Sequence, residues 1–244
     1  MPVRVAGIQP GYLPWLGYFD QMARVDAFIV ANEMPYSSSG WSHRNRVKGP
    51  QGAHWLTLPH KARLGQRIGD VALDVEQPWK RKHMETLRHF YKDGPESAAL
   101  LADLDSVLDE SSTTLGEPST ATVHWLAGML DVRTPILLSS DLGLERAYRE
   151  RFPDEPGPTH RIVAFLEQLG ATELVGGESG NGYFDRDVFA AHGMTAHFYR
   201  YPHPVYPQLH GAFVSHLSAL DLLLCVGRDE AAAVVASSAR SANA

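Results

Sequence analysis

The sequence predicts a three-layer α/β fold, in which a mostly parallel, Rossmann-like sheet carries helices on both faces and a helical insertion. Two observations support this fold class. Short apolar runs bounded by turn residues alternate with helical patterns along most of the chain, and residues 79–131 show helical patterns only. Runs of this kind are typical of buried strands, and their alternation with helices is typical of a parallel sheet.

The first sixty residues are expected to hold three strands and one helix. The strands are predicted at 3–8, 26–31 and 54–58, and the helix at 19–24. Each strand prediction rests on a short apolar run that ends at turn-forming residues. Two long polar and aromatic loops, 9–17 and 32–53, follow the first two strands, and long loops in a compact domain usually carry function.

The middle of the chain is predicted to be helical, after which strands and helices alternate again. Helices are expected at 79–92, 97–108, 119–130, 159–169, 188–192 and 214–225, and strands at 134–138, 171–175 and 195–199. The tail, 229–244, is rich in alanine and serine and is expected to fray. We therefore predict one domain over residues 1–228, with the helical insertion at about 79–131.

The composition excludes several functional classes. Of 244 residues, 44% are hydrophobic, and the net charge of −6 makes nucleic acid an unfavourable partner. The single cysteine, Cys225, excludes an internal disulfide and a multi-cysteine metal site. No apolar run approaches the roughly 18 residues of a membrane span, and no metalloprotease or serine-hydrolase motif occurs. We expect a cytoplasmic protein without a membrane partner, a metal or a cofactor.

The segment 9–19 combines prolines, glycines and large aromatic rings past the carboxyl end of the first strand. Ligands tend to bind at this position in α/β proteins. Gln9 can both donate and accept hydrogen bonds. The rings of Tyr12, Trp15 and Tyr18 can hold a flat or apolar ligand. The alternative is a rigid turn whose rings belong to the core.

Two cationic segments are candidates for binding an anion. The first consists of His43, Arg44, Asn45 and Arg46. Arginines around an asparagine suit a phosphate or a carboxylate. The second includes Lys82 and His83, in a cluster of cations at a helix start, where the helix dipole disfavours positive charge. Each segment could instead be an ordinary solvated surface.

Two later loops could complete a site. Residues 176–185 contain four glycines after a predicted strand, so backbone amides could approach a ligand, although the P-loop lysine and the dinucleotide spacing are missing. The second loop, 206–211, precedes the last predicted helix. The candidate contacts in the two loops are Glu178, Ser179, Tyr183, Gln208 and His210. Either loop could also be a plain surface turn.

The segment 9–19 also resembles the opening motif of the WbqC-like family. The resemblance continues, in order, through residues 44–46, 55–59, Trp79, 82–83, 139–142, 177–185, 206–208, 218–223 and Gly227. It covers roughly residues 3 to 228. It implies an accessory biosynthetic enzyme of a surface-polysaccharide or specialised-metabolite pathway. Acyl or aminoacyl transfer to an amine, with an acyl or peptidyl carrier protein as a partner, is the activity that this setting implies.

The chain departs from the family pattern at several positions. Ile8 stands where a histidine is common, and His43 where an asparagine is common. Asn32 and Glu33 stand where paired aspartates are common, so Glu33 keeps one carboxylate and is a catalytic candidate.

A second similarity concerns the frame of residues 14–19, which matches the His-x-Gly-His signature of nucleotidylyltransferases. Trp15 and Tyr18 replace both histidines, and neither can supply the missing charge. This similarity supports a Rossmann-like, nucleotidylyltransferase-like fold more than an adenylylating activity.

Three functions are compatible with these residues. The first is a transferase that forms an amide or ester from an activated acyl group, with His83 or Glu178 as general base. The second is a nucleotide-dependent ligase or nucleotidylyltransferase, and the third is a non-catalytic binding protein of a pathway. The first two act on a small-molecule substrate, and the oligomeric state is not predicted.

Overall fold

The structure is a computed structural model that describes residues 3–63, 65–154 and 157–241. The strands in this part of the chain are β1 (Arg4–Ile8), β2 (Ala27–Val30), β3 (Arg44–Gly49), β4 (Gly52–Thr57), β5 (His60–Lys61), β6 (Ala72–Leu73), β7 (Ile136–Leu138), β8 (Glu173–Gly177) and β9 (Thr195–Tyr199). The α-helices are α1 (Leu16–Ala23), α2 (Trp79–Phe90), α3 (Ser97–Val107), α4 (Gly116–Met129), α5 (Leu144–Arg151), α6 (Pro158–Leu169), α7 (Arg186–Ala191), α8 (Ala219–Val226) and α9 (Arg228–Ser241).

Five of these strands form the central sheet in the order β7-β2-β1-β8-β9, and every neighbouring pair is parallel. Along the chain, β2 and β7 are added on one side of β1, and β8 and β9 are then added on its other side. This order is that of a Rossmann-like sheet. The predicted fold class is therefore confirmed.

The sheet separates two hydrophobic cores. Phe28 and Val30 of β2 face a large core formed with α1, α2, α3, α4, α8 and α9. Ile29, between them, faces a smaller core formed with α5, α6 and α7. Because side chains alternate between the faces of a strand, one apolar run supplies both cores and the fold has three layers.

The strand predicted at 54–58 lies outside the central sheet. It corresponds to β4, which pairs antiparallel with β3 in a hairpin. The chain can turn between them because Gly52 has a φ of +103°, a conformation that favours glycine. The loop predicted at 32–53 therefore contains a strand.

The helices near the carboxyl end also differ from the prediction. The helix expected at 214–225 begins at Ala219, because the Ser218 side chain accepts a hydrogen bond from the Leu220 backbone and caps the helix there. Residues 229–241, expected to fray, belong to α9. Ala231 and Val235 of α9 are buried in the large core. No helix in the described part of the chain is long and apolar enough to cross a bilayer.

Candidate functional site

The strand order reverses between β1 and β8, at the carboxyl edge of the sheet. The pairing of β1 with β8 ends at Val5 and Leu174, although each strand continues for three more residues. Such a switch point is the usual ligand position in open α/β sheets. Among the predicted site residues, Gln9 follows β1, while Glu178 and Ser179 follow β8 and are exposed.

Most of the segment after β1 is held inside the fold. Tyr12 and Tyr18 are 0% and 3% exposed. The Asn45 amide donates a 2.8 Å hydrogen bond to the Leu13 carbonyl oxygen, which fixes this segment against β3. The Trp15 ring is partly exposed. A ligand at this edge would therefore meet Trp15, whereas Tyr12, Tyr18 and Asn45 hold the segment in place.

Glu33 lies past the end of β2, beside a cavity of about 510 Å³. Its Oε1 is 3.5 Å from Nη1 of Arg67, and its Oε2 is buried without a hydrogen-bond partner among the described residues. Glu145, which also lines the cavity, is already paired with Arg149 and Arg161. The carboxylate of Glu33 thus keeps the capacity to accept another hydrogen bond.

Three titratable aromatic side chains, which follow β2 in the chain, form a hydrogen-bonded line. Nδ1 of His60 lies 2.9 Å from the Leu58 carbonyl oxygen, so this nitrogen carries the proton. Nε2 of His60 therefore accepts from the Tyr36 hydroxyl at 2.5 Å. The Tyr36 oxygen in turn accepts from Nδ1 of His43 at 3.4 Å. This chain of bonds leaves the lone pair of His43 on Nε2.

The imidazole of His43 is neutral at physiological pH. The side chain is 5% exposed, and burial lowers its pKa to about 4, with smaller electrostatic effects of His60 and of the Arg44 charge in the same direction. No hydrogen bond joins Nε2 of His43 to another described residue. A neutral, oriented imidazole with a free lone pair has the properties of a general base.

The β3–β4 hairpin carries arginines and tryptophans on its outer face. The register pairs Arg46 with Trp55, and Arg44 lies two residues away on the same face. The guanidinium carbon of Arg44 is 4.6 Å from the Trp55 ring centroid. Trp41 stacks on Trp55 with centroids 5.5 Å apart. Two of the three predicted anion-binding residues of β3 therefore lie on the surface, and the third, Asn45, is structural.

A cleft of about 420 Å³ between β4 and α2 is lined by Lys82 and His83. Nδ1 of His83 is 3.0 Å from the Tyr12 hydroxyl, and the imidazole also donates to the Thr57 backbone. Burial lowers the pKa of His83 to about 4. This imidazole is neutral like that of His43, but both of its nitrogens are occupied.

Two predicted site residues of the later loops, Gln208 and His210, make hydrogen bonds that stabilise the fold. The Gln208 amide donates to the Asp221 carboxylate at 2.9 Å, and Nε2 of His210 is 2.6 Å from the Phe90 carbonyl oxygen. These bonds hold the loop before α8 against α8 and α2. The Tyr183 side chain lies outside the part of the chain that the structure describes.

Sequence reasoning identified His43 as a site residue but missed Tyr36 and His60. Tyr36 is 7 positions from His43 and 24 from His60 in the chain. The hairpin returns the chain so that the Leu58 backbone bonds to the His43 carbonyl, which brings His60 beside His43. The one available signal was the concentration of aromatic and imidazole side chains in and after the loop 32–53.

Two comparisons with known proteins match most of the chain. The model of the WbqC-like protein family matches residues 9–233. The chain is also 32% identical over 230 residues to Uncharacterized protein Rv1507c of Mycobacterium tuberculosis, across 93% of this chain and 95% of that protein. The matched span includes the hairpin and the cleft. The chain therefore belongs to the WbqC-like protein family.

Proposed function

We propose that this protein transfers an acyl or aminoacyl group to an amine in a biosynthetic pathway, with His43 as the general base. The observation that carries this proposal is the hydrogen-bonded line of His43, Tyr36 and His60. It orients a neutral imidazole whose Nε2 lone pair has no partner among the described residues. Membership of the WbqC-like family supports a role in a pathway of this kind.

In the proposed reaction, the amine nitrogen attacks the acyl carbon and a C–N bond forms, while the carbonyl electron pair moves to oxygen. Nε2 of His43 takes the proton that the nitrogen loses. When the intermediate collapses, the bond to the leaving group breaks, and the imidazolium returns the proton to that group.

Direct transfer is favoured over a covalent acyl-enzyme. Burial raises the pKa of the Cys225 thiol to about 12, so very little nucleophilic thiolate forms at neutral pH. The donor would be an activated ester or thioester, either free or attached to a carrier protein.

His43 is a better candidate base than either residue that the sequence suggested. His83 can accept a proton only if its bond from Tyr12 breaks, because both of its nitrogens are engaged. Glu178 is exposed, with no hydrogen bond that orients its carboxylate toward a ligand among the described contacts. Glu33 remains a candidate for holding the amine, since one of its oxygens is unpaired.

A transfer assay tests the proposal. The protein is incubated with N-acetylcysteamine thioesters of common amino acids and a panel of amines, and amide products are measured by mass spectrometry. For any pair that reacts, we expect His43→Asn to lower kcat by about 10²–10⁴-fold, the usual contribution of a general base. Tyr36→Phe should lower kcat less, because it removes only the group that orients His43.

The variants His83→Gln and Glu178→Ala test the residues suggested by the sequence, and His124→Ala, on an exposed position of α4, is the control. Full activity in folded His43→Asn would refute the role of His43. If the folded wild-type protein binds ligands but transfers no acyl group, a non-catalytic binding role is favoured instead.

A nucleotide-dependent enzyme is the second candidate, and the observed Rossmann-like strand order favours it. It predicts that ATP with magnesium raises the thermal stability of the protein, because a ligand that binds only the folded state stabilises it. An unchanged melting temperature at millimolar ATP would argue against this candidate.

A further inference from the structure

The outer face of the hairpin exposes four residues that we call the hairpin face, namely Trp41, Arg44, Arg46 and Trp55. Trp41 and Trp55 are 50% and 42% exposed, although most large hydrophobic side chains of this protein are buried. The guanidinium carbon of Arg46 lies 5.6 Å from the Trp55 ring and 5.9 Å from the Trp41 ring. Tryptophan and arginine are among the side chains most enriched at the centres of binding surfaces.

The arginines of the hairpin face are not paired with acidic groups of the described chain. Arg44 makes no side-chain hydrogen bond there, and Arg46 makes one of 3.4 Å to the His216 carbonyl oxygen. The Nε atoms of both arginines are buried without an acceptor. By contrast, Arg67 and Arg161 are paired with carboxylates. In a chain of net charge −6, two adjacent unpaired guanidiniums favour an anion from outside.

The hairpin face continues into the cleft between β4 and α2. Trp55 belongs to both, and Thr57, the cross-strand partner of Arg44, also lines the cleft. The cleft volume of about 420 Å³ is in the range of small-molecule sites. Lys82, which lines the cleft, is exposed and forms no ion pair with a described residue. An anion on the arginines would therefore have room for an organic group along Trp55.

We propose that the hairpin face and the cleft bind an organic phosphate. Arg44 and Arg46 hold the phosphate through charge-assisted hydrogen bonds, and the indoles contact the adjacent organic group. A nucleotide would present a flat base to the indoles, and a phosphopantetheine arm would present a linear chain to the cleft. The two share the phosphate ester. This binding does not depend on the reaction proposed for His43.

Titrations monitored by tryptophan fluorescence and calorimetry test the inference, with AMP, 4′-phosphopantetheine and inorganic phosphate as ligands. Adenosine and pantetheine are the matched compounds without phosphate. We expect at least one organic phosphate to bind about tenfold or more tightly than its counterpart without phosphate, and added salt to weaken that binding. The tighter of the two identifies the source. Equal binding of each matched pair, or binding of neither phosphate, would overturn the proposal.

Variants locate the site. Arg44→Gln and Arg46→Gln should each weaken phosphate binding about tenfold or more, and Arg44→Lys, which keeps the charge but loses the planar fork, should weaken it less. Arg133→Ala removes an exposed arginine after α4 and is the control. Unchanged affinity in both folded glutamine variants would contradict the inference. His43→Asn should retain phosphate binding, so failure of the transfer proposal and failure of this one can be told apart.

Discussion

The histidines of the site differ in how much hydrogen-bonding capacity the fold leaves them. His83 has both nitrogens engaged, by Tyr12 and by the Thr57 backbone. His43 has one nitrogen directed to Tyr36 and the other without a partner among the described residues. Burial lowers the pKa of both to about 4, so the pKa does not distinguish them. The difference that matters for proton transfer is the free lone pair.

At the same scale, Tyr18 supplies a stability prediction. Its hydroxyl is buried without a hydrogen-bond partner among the described residues. An unpaired buried polar group costs about 1–3 kcal/mol. Tyr18→Phe should therefore raise the free energy of unfolding by roughly 1 kcal/mol, as measured by urea denaturation.

Tyr12→Phe is the matched control, because the Tyr12 hydroxyl bonds to His83 and its removal should lower stability. A Tyr18→Phe variant less stable than wild type would contradict the burial argument.

At the scale of elements, the hairpin explains why the two faces of β3 have different roles. Asn45 and Val47 point inward, where Asn45 fixes the segment after β1, while Arg44 and Arg46 point outward beside Trp55. One strand thus joins the scaffold of the sheet edge to an exposed cationic surface. Any change that shifts the register by one residue would exchange these faces and destroy both roles.

Replacement by alanine should have opposite effects on stability at two glycines in helical regions. A Cβ at Gly94, in the turn between α2 and α3, would overlap the Leu224 carbonyl oxygen, whereas a Cβ at Gly128 in α4 would meet no atom within 4 Å. Gly94→Ala should lower the free energy of unfolding by about 1–3 kcal/mol. Gly128→Ala should raise it by about 0.5–1 kcal/mol, because alanine favours the helix.

Thermal and urea denaturation of the two variants side by side measures both effects. Equal stability of Gly94→Ala and wild type would show that α8 is not packed against this turn as described.

At the scale of the whole molecule, the central sheet could be predicted from sequence because each of its strands is a short apolar run that ends at turn residues. β3 could not be predicted, because its polar residues Arg44, Asn45, Arg46 and Lys48 hide the alternation of its two faces. α5 could not be predicted either, because its residues are mostly charged. The anion-binding hypothesis for β3 followed from residue types alone. The line of Tyr36, His43 and His60 required the hairpin geometry, which brings residues distant in sequence together.

Stability should fall as the pH is lowered. His43 and His83 have folded pKa values of about 4, below the usual 6.5, so the unfolded chain binds more protons between these values. Their contribution to stability is complete above about pH 6.5 and is lost progressively toward pH 4. Each can contribute up to about 1.4 kcal/mol per pH unit.

Urea denaturation at several pH values measures this slope, and His83→Gln should make it shallower because glutamine does not titrate. An identical slope in the variant would show that His83 titrates normally in the folded protein.

Nitrogen NMR of labelled histidine through a pH titration reports the charge and the tautomer of His43, on which its role as a general base depends. Nδ1 of His43 should be protonated, Nε2 should not be, and the ring should titrate near pH 4. In Tyr36→Phe the preference for this tautomer should weaken. A wild-type His43 that titrates near pH 6.5, or that carries its proton on Nε2, would rule out this role.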